Sequence, residues 1–208
     1  MVDPRPKRRL DRGMKATLFA LFVGLFMVGC GESSIPKAID LDDPATLDRI
    51  IAEAIDSEKT GTTDMPILPW NHRRSLAPGT QKPYTGWTKS MYANGRLKGL
   101  SRLKDGIQHG QSVKWYENGR KASQSRMKDR RFYGLQTQWY ENGQKWSEQN
   151  YKDGAQVSEK RWYKHGQMEW EKNYKNGSHN PHGLWVEYKE DGTESFRATY
   201  KYGEIVRD

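Results

Sequence analysis

The stretch Trp115-Tyr116-Glu117-Asn118-Gly119 returns 24 residues later as Trp139-Tyr140-Glu141-Asn142-Gly143. Looser copies lie on either side of this pair, so a glycine closes the motif at five places: Gly95, Gly119, Gly143, Gly166 and Gly192. A second motif that begins with lysine follows each first one: Lys104-Asp105-Gly106, Lys128-Asp129-Arg130, Lys152-Asp153-Gly154, Lys175-Asn176-Gly177 and Lys201-Tyr202-Gly203. Two motifs kept in phase identify tandem repeats, in which each unit packs against its neighbours.

Each repeat unit is predicted to form two β-strands joined by tight turns. Asn-Gly and Asp-Gly pairs between alternating segments favour two-residue turns, whose central residues both have positive φ. No unit has the apolar spacing of a helix. The chain is therefore predicted to be all-β: an extended antiparallel β-meander of 24-residue hairpin repeats, with one short N-terminal amphipathic helix.

The Trp-Tyr doublets assign the two faces of this sheet, because neighbouring residues of a strand point to opposite sides. One face is predicted to carry a row of tryptophans with one methionine: Trp87, Met91, Trp115 and Trp139. The other face is the candidate binding surface, and its residues are Tyr92, Tyr116, Tyr140, Lys114 and Trp146. Alternatively, the aromatic residues mainly join adjacent strands through cross-strand pairs.

One turn departs from the repeat. Arg130 stands where the other second motifs have glycine. A residue with a side chain costs about 1 kcal/mol in the left-handed conformation that such a turn needs. Unless this turn changes type, we expect the joint after the second repeat to be the weakest one.

A short apolar segment precedes the repeats. Residues 16–28 are largely apolar and follow a basic stretch. They are too few to cross a bilayer core, which needs about 20 residues, and have the length typical of a signal peptide. The following Met27-Val28-Gly29-Cys30 resembles the lipobox of bacterial lipoproteins. That resemblance implies a signal peptide over 1–29 and a lipid on Cys30; an ordinary signal peptide with a chance cysteine is the alternative.

Residue 31 is glycine and not the aspartate associated with inner-membrane retention. The resemblance therefore implies a lipid-anchored protein of the bacterial cell envelope, at the outer membrane and facing the periplasm. Lipid at Cys30 would be the contact with the membrane.

Residues 30–64 are predicted to form a tether and the amphipathic helix. Asp43-Pro44 reads as a helix start, and apolar residues then recur every three or four positions to about Ser57. We expect this helix to cover the first hairpin; a partner-binding helix is the alternative. Residues 59–64 read as a linker, and 65–83 as a leading hairpin or loop, with a possible strand at 65–70 and a long loop over 72–83. The five repeats occupy 84–208.

Most of the net positive charge of the chain lies in the repeats. The formal net charge is +9, and residues 84–208 carry 23 basic and 15 acidic residues, a net charge of +8. This excess favours anionic partners, such as an acidic protein surface, an anionic lipid or a wall polymer. Nucleic acid is excluded as a partner if the chain is exported.

The sequence offers no catalytic motif. It lacks a nucleophile elbow, a phosphate-binding glycine loop and an HExxH pair. The single cysteine excludes an internal disulfide and a cysteine zinc site. His179 and His182 lack a nearby carboxylate and a helix that would align them. We therefore expect no enzyme activity, no cofactor and no metal.

The hairpin core Trp-Tyr-Glu-Asn-Gly and the link Tyr-Lys-Asp-Gly resemble the bacterial variant of the MORN repeat. With its start at Pro83-Tyr84-Thr85-Gly86, the region from Tyr84 to Asp208 is similar to YwqK-family antitoxins of toxin-antitoxin systems. This resemblance implies a curved, single-layered β array that contacts protein or lipid. An exported chain could oppose only a toxin that acts in the envelope.

These observations predict a non-catalytic, membrane-anchored protein-interaction module with an unidentified protein partner. Two alternatives stay open. One is an antitoxin or immunity component, whose partner is a cognate toxin. The other is a module that binds wall glycan or anionic lipid.

Overall fold

The structure is a computed structural model, and it describes residues 38–63, 74–175 and 180–206. These residues form one α-helix, α1 (Pro44–Glu53), and one short 3-10 helix, Ser57–Lys59. Their strands are β1 (Ile55–Asp56), β2 (Gly61–Thr63), β3 (Arg74–Leu76), β4 (Gly86–Met91), β5 (Leu97–Lys104), β6 (Ile107–Trp115), β7 (Lys121–Lys128), β8 (Arg131–Phe132), β9 (Gly134–Trp139), β10 (Lys145–Lys152), β11 (Ala155–Trp162), β12 (Met168–Tyr174), β13 (Pro181–Tyr188), β14 (Glu194–Lys201) and β15 (Glu204–Val206). Cys30 and the possible strand at 65–70 lie outside the described residues.

The repeats form one open sheet, which confirms the predicted all-β meander. From β4 to β15, strands that follow one another along the chain lie side by side and pair antiparallel, with β8 attached to β7 alone. A separate pair is formed by β2 and β3. In the part of the chain that the structure describes, no helix is both long and apolar enough to cross a bilayer.

The turns of the first motif differ from the two-residue turns predicted for them. Gly95 donates its N–H to the Tyr92 carbonyl at 2.9 Å, and Tyr92 donates to the Arg96 carbonyl at 2.8 Å. Gly95 has a φ of 80°, whereas Asn94 has no positive φ. Each loop therefore has three residues and ends in a left-handed glycine next to a bulge. Asn94 serves instead as an acceptor, for the Arg96 N–H at 3.0 Å.

The four turns of the second motif that the structure describes are the predicted two-residue turns; the turn at Asn176-Gly177 lies outside the described residues. Asp105 and Gly106 have φ values of 51° and 75°, as type I′ geometry requires. Asp129 and Arg130 have φ values of 50° and 66°. The turn at Arg130 therefore keeps its type, and an arginine occupies a conformation that costs it about 1 kcal/mol.

The ladder between neighbouring strands of the repeats is shortest just after Arg130. Strand β7 pairs with β9 through Ser123 with Gln138 and Gln124 with Thr137 alone, because its last residues pair with β8 instead. The other neighbouring strands of the repeats share longer ladders, such as β6 with β7. This agrees with a weak joint after the second repeat.

Helix α1 lies over one face of the first strands. Asp43 caps it by accepting the Thr46 N–H at 2.9 Å, as predicted. The helix ends at Glu53, before the predicted Ser57, because the chain becomes extended at Ala54 and then forms β1. The helix and the first strands pack together around one apolar core. Its buried residues are Leu41, Ile50, Ala54, Trp87, Leu100, Val113 and Trp115.

Two predictions for the segment before the repeats are wrong. The linker at 59–64 contains β2, and the loop at 72–83 contains β3, which pairs with it. In addition, β1 pairs parallel with β4, with Ile55 opposite Thr88. The edge of the first repeat is therefore covered by a strand, while the helix covers a face.

Candidate binding surface

The three predicted site tyrosines belong to the rim of the sheet. Tyr92, Tyr116 and Tyr140 each stand one residue beyond the end of a strand, where the turn begins. Their hydroxyls donate to main-chain carbonyls of the next repeat, namely those of Trp115 at 2.7 Å, Trp139 at 2.6 Å and Trp162 at 3.0 Å. Tyr163 continues the series to the Tyr188 carbonyl at 3.0 Å. We call these four residues the tyrosine rim.

Turn side chains reinforce the tyrosine rim. Asn118 donates to the Glu141 carbonyl at 3.1 Å, and Asn142 to the Lys164 carbonyl at 2.7 Å. Arg120 also donates to the Glu141 carbonyl, at 3.1 Å. The rim thus joins each repeat to the next through its tyrosine hydroxyls. The tyrosines predicted for the binding surface lie at the starts of turns, where the alternation used to assign them to a face of the sheet does not apply.

The pairing of the strands traces one continuous face from β4 to β14, because residues paired in an antiparallel sheet point the same way. A single row of paired residues crosses the sheet: Ser90, Gly99, Lys114, Ser123, Gln138, Ser147, Arg161, Trp170, Glu187 and Phe196. We call the side that carries this row the open face. Helix α1 packs on the opposite side, which carries Leu100 and Val113.

In the last three repeats the open face carries alternating cations and aromatic rings. The Arg161 guanidinium lies 5.1 Å from the ring of Trp146 and 4.7 Å from that of Trp170. The Lys172 ammonium lies 4.7 Å from Trp170 and 5.0 Å from Trp185. Trp185 in turn lies 5.1 Å from Tyr200. We call these residues the cation-aromatic row: Trp146, Arg161, Trp170, Lys172, Trp185 and Tyr200.

The row joins five strands and remains partly accessible. Its six residues are all half-buried, and each contact between cation and ring contributes about 0.5 to 2 kcal/mol. Lys172 also pairs with Glu187 at 2.7 Å. The Trp170 indole Nε1 is buried without a hydrogen-bond partner in the described structure. The predicted alternative, aromatic residues that join strands, is therefore realised here.

A polar groove of about 680 Å³ lies over the first two repeats. Its walls include Ser57 and Thr60 from the segment around the 3-10 helix, and Ser75 from β3. Lys114 and Arg130 supply positive charge. We call this space the serine groove.

The predicted site residues lie in three different parts of the structure: the tyrosine rim, the serine groove and the cation-aromatic row. The tyrosines lie in the rim, Lys114 in the serine groove, and Trp146 in the cation-aromatic row. The prediction missed Arg161, Trp170, Lys172 and Trp185. The two-residue spacing of Trp170 and Lys172 indicates that both side chains lie on one face of β12. Their neighbours on β11 and β13 depend on the register of the strands, which bulges shift.

Among the described residues, no cluster of three or more potential metal ligands occurs. His109 is buried, with Nδ1 3.1 Å from an Asp129 carboxylate oxygen. Burial and then Glu159 raise the pKa of Tyr174 to about 12. Compared with known proteins, the chain matches no protein-family model and no curated protein.

Proposed function

We propose that this protein is a non-catalytic, membrane-anchored interaction module of the bacterial cell envelope, which binds an acidic surface of a protein partner. One observation carries the proposal: the cation-aromatic row is a contiguous, half-exposed patch on the open face. Tryptophan, tyrosine and arginine are the side chains that most often dominate the energy of protein interfaces.

The charge of the repeats supports the choice of an acidic partner. Residues 84–208 have a net charge of +8, and the row itself contains Arg161 and Lys172. Both cations already have a carboxylate neighbour: Lys172 pairs with Glu187 at 2.7 Å, and the Arg161 Nε lies 3.4 Å from the Glu169 carboxylate. The contact of Arg161 is the longer of the two, and a guanidinium can bind a carboxylate through two parallel hydrogen bonds, so we expect Arg161 to be the cation that a partner's carboxylate contacts.

The anchor is a separate part of the proposal. The lipobox-like Met27-Val28-Gly29-Cys30 supports lipid attachment at Cys30, and the residues that follow would space the repeats from the membrane. Mass spectrometry of the mature chain tests this, and we expect a diacylglycerol group on Cys30. A freely secreted chain with an unmodified cysteine would contradict the anchor and leave the interaction surface untouched.

In-cell crosslinking, pull-down and mass spectrometry test the interaction. Trp170→Ala removes the ring at the centre of the cation-aromatic row and should abolish recovery of the partner. Trp139→Ala is the matched control, because Trp139 is also half-buried and lies on the opposite face, two residues from Thr137. Circular dichroism of both variants reports whether the sheet is still folded.

The identity of the recovered protein decides between the roles. A toxin that is lost with Trp170→Ala would assign the antitoxin or immunity role that the repeat resemblance implies. Any other specific protein would assign an interaction role. Recovery of only lipid or wall fragments, or equal recovery with folded Trp170→Ala, would overturn the proposed protein contact.

A further inference from the structure

We propose that a groove on the side of the sheet opposite the open face binds a neutral, extended β-1,4-linked oligosaccharide, whose sugar rings stack on Trp139 and Trp162. We call this space the tryptophan groove. It holds about 340 Å³, within the range of about 300 to 1,000 Å³ typical of small-molecule sites. Its lining consists of Trp139, Gly143, Gln144, Lys145, Trp162 and Gly166. The site goes beyond the proposed protein contact, which lies on the open face.

The two tryptophans belong to a row that α1 covers only at its start. Met91, Trp115, Trp139 and Trp162 are the last residues of β4, β6, β9 and β11. Trp115 is 8% exposed and packs with α1 in the apolar core. Trp139 and Trp162 are half-buried, and every lining residue of the groove comes from the third or fourth repeat. These two indoles therefore keep accessible surface.

The lysine beside the indoles shows the same change along the row. Lys121 pairs with Trp115 across the turn and forms an ion pair with Asp42, which leads into α1. Its equivalent 24 residues later, Lys145, pairs with Trp139 in the same way. The carboxylate partner of Lys145 is Glu148 of its own strand, at 2.5 Å. Because this ion pair neutralises the ammonium and no lining residue is acidic, the groove favours a neutral ligand.

The residue after the turn glycine also changes where the groove begins. In the first two repeats it is Arg96 and Arg120, and each donates to a main-chain carbonyl of the next repeat. In the third repeat it is Gln144, whose side-chain amide makes no hydrogen bond to the described residues. The amide lies over the next turn, since a Cβ added to Gly166 would lie 3.1 Å from its Oε1. An amide can both donate and accept hydrogen bonds.

Indole rings beside an amide and an ammonium match the chemistry of a sugar. The face of an indole carries negative charge density, and the C–H groups on the flat side of a pyranose ring are weakly positive, so the two surfaces stack. Hydroxyl groups at the edge of the sugar can bond to Gln144 and Lys145, because an ammonium has three donors and Glu148 accepts one of them. A purely apolar ligand would leave the amide of Gln144 unpaired.

The spacing of the indoles favours an extended chain of sugars. Strand β10 lies between β9, which ends at Trp139, and β11, which ends at Trp162. Neighbouring strands lie about 4.8 Å apart, so the two backbones are about 9.6 Å apart. One sugar ring is too small to cover both indoles. In an extended β-1,4-linked chain every second ring presents the same side, so alternate rings can meet the two indoles; an α-1,4-linked chain coils instead.

Isothermal titration of the full chain with cellotetraose, chitotetraose, maltotetraose and glucose tests the site. We expect at least one of the two β-1,4-linked tetraoses, cellotetraose and chitotetraose, to bind about tenfold or more tightly than glucose, because glucose can reach only one indole. Equal affinity for the α-linked maltotetraose would overturn the assigned linkage. Equal affinity for glucose would overturn the use of two indoles, and absence of binding by both β-linked tetraoses would overturn the whole proposal.

Three variants and one control locate the site. Trp139→Ala and Trp162→Ala should each weaken tetraose binding about tenfold or more, and Gln144→Ala about threefold to tenfold. Trp162→Phe keeps an aromatic face and should recover part of the affinity. Phe196→Ala removes a 37% exposed ring from the open face and should leave affinity within about twofold of the wild type.

Circular dichroism reports whether each variant is folded. Unchanged affinity in folded Trp139→Ala and Trp162→Ala, or an equal loss in Phe196→Ala, would contradict the placement. The protein contact is tested on another residue, because Trp170→Ala is measured by partner recovery and Trp162→Ala by sugar affinity. Either proposal can therefore fail alone, and loss of both activities in either folded variant would contradict their separation on two faces.

Discussion

The hydroxyl of Tyr116 donates a hydrogen bond of 2.6 Å to the main-chain carbonyl of Trp139, which lies 23 residues further along the chain. The bond runs from one turn to the strand end of the next repeat and recurs at Tyr92, Tyr140 and Tyr163. It explains the Trp-Tyr doublet: the tryptophan supplies the acceptor through its backbone, and the tyrosine of the preceding unit supplies the donor.

Tyr116→Phe should therefore destabilise the protein by about 1 kcal/mol, the usual net value of such a bond. The ring stays, so packing is preserved and only the donor is lost. Urea unfolding followed by circular dichroism measures the change. Tyr133→Phe is the control, because Tyr133 is 38% exposed, and a loss as large there would refute the assigned role of the rim.

Alkaline pH should destabilise the sheet partly through Tyr174. Its pKa rises from 10.0 to about 12 in the folded protein because of burial and the nearby Glu159. Folding thus favours the neutral phenol, and this contribution is complete below pH 10 and is lost as the pH rises towards 12.

The expected observation is that Tyr174→Phe makes the free energy of unfolding less dependent on pH in this range. Glu159→Gln should lower the pKa of Tyr174 in a spectrophotometric titration, since it removes a negative charge. Identical pH profiles for Tyr174→Phe and wild type would show that this phenol does not contribute.

The covered core should be the most sensitive part of the array. Leu100 is fully buried beneath α1, so Leu100→Ala should destabilise the protein by about 2 to 5 kcal/mol. Leu135→Ala is the matched control, because Leu135 is 53% exposed, and its effect should stay within about 0.5 kcal/mol. Similar losses in urea unfolding of the two variants would argue against a packed core around Leu100.

Limited trypsin digestion should cut first after Lys128, Arg130 or Arg131. The β7 and β9 ladder is short there, so local opening requires the loss of few hydrogen bonds. The turn that begins at Lys152 joins strands with a long ladder and serves as the internal comparison. First cleavage at Lys152, identified by mass spectrometry of the early fragments, would refute the weak joint.

The repeats could be predicted from the sequence because Asn-Gly and Asp-Gly pairs recur at their turns. The type of the first turns could not, since Asn94 uses its side chain as an acceptor for Arg96 instead of adopting positive φ. Strands β1, β2 and β3 have at most three residues and depend on distant pairing, such as Ile55 with Thr88. Such short segments carry too little periodicity to be predicted.

The candidate surface was predictable only in part, for a related reason. Lys114 lies on the face predicted for it, opposite that of Val113, because its strand alternates regularly before the turn. Trp146 sits at a bulge between Lys145 and Ser147, where simple alternation fails. The contacts of Arg161 with Trp146 and Trp170 cross two strand boundaries, so they depend on register, which the residue pattern leaves open.

The tyrosine rim connects each unit only to the one that follows it. Each of its four bonds spans between 22 and 25 residues and none passes over an intervening unit. Duplication of one whole unit within the gene would therefore supply its own donor and its own acceptor. An insertion of any other length in a strand would separate a hydroxyl from its carbonyl, so this rim makes the array free to lengthen, but only in whole-unit steps.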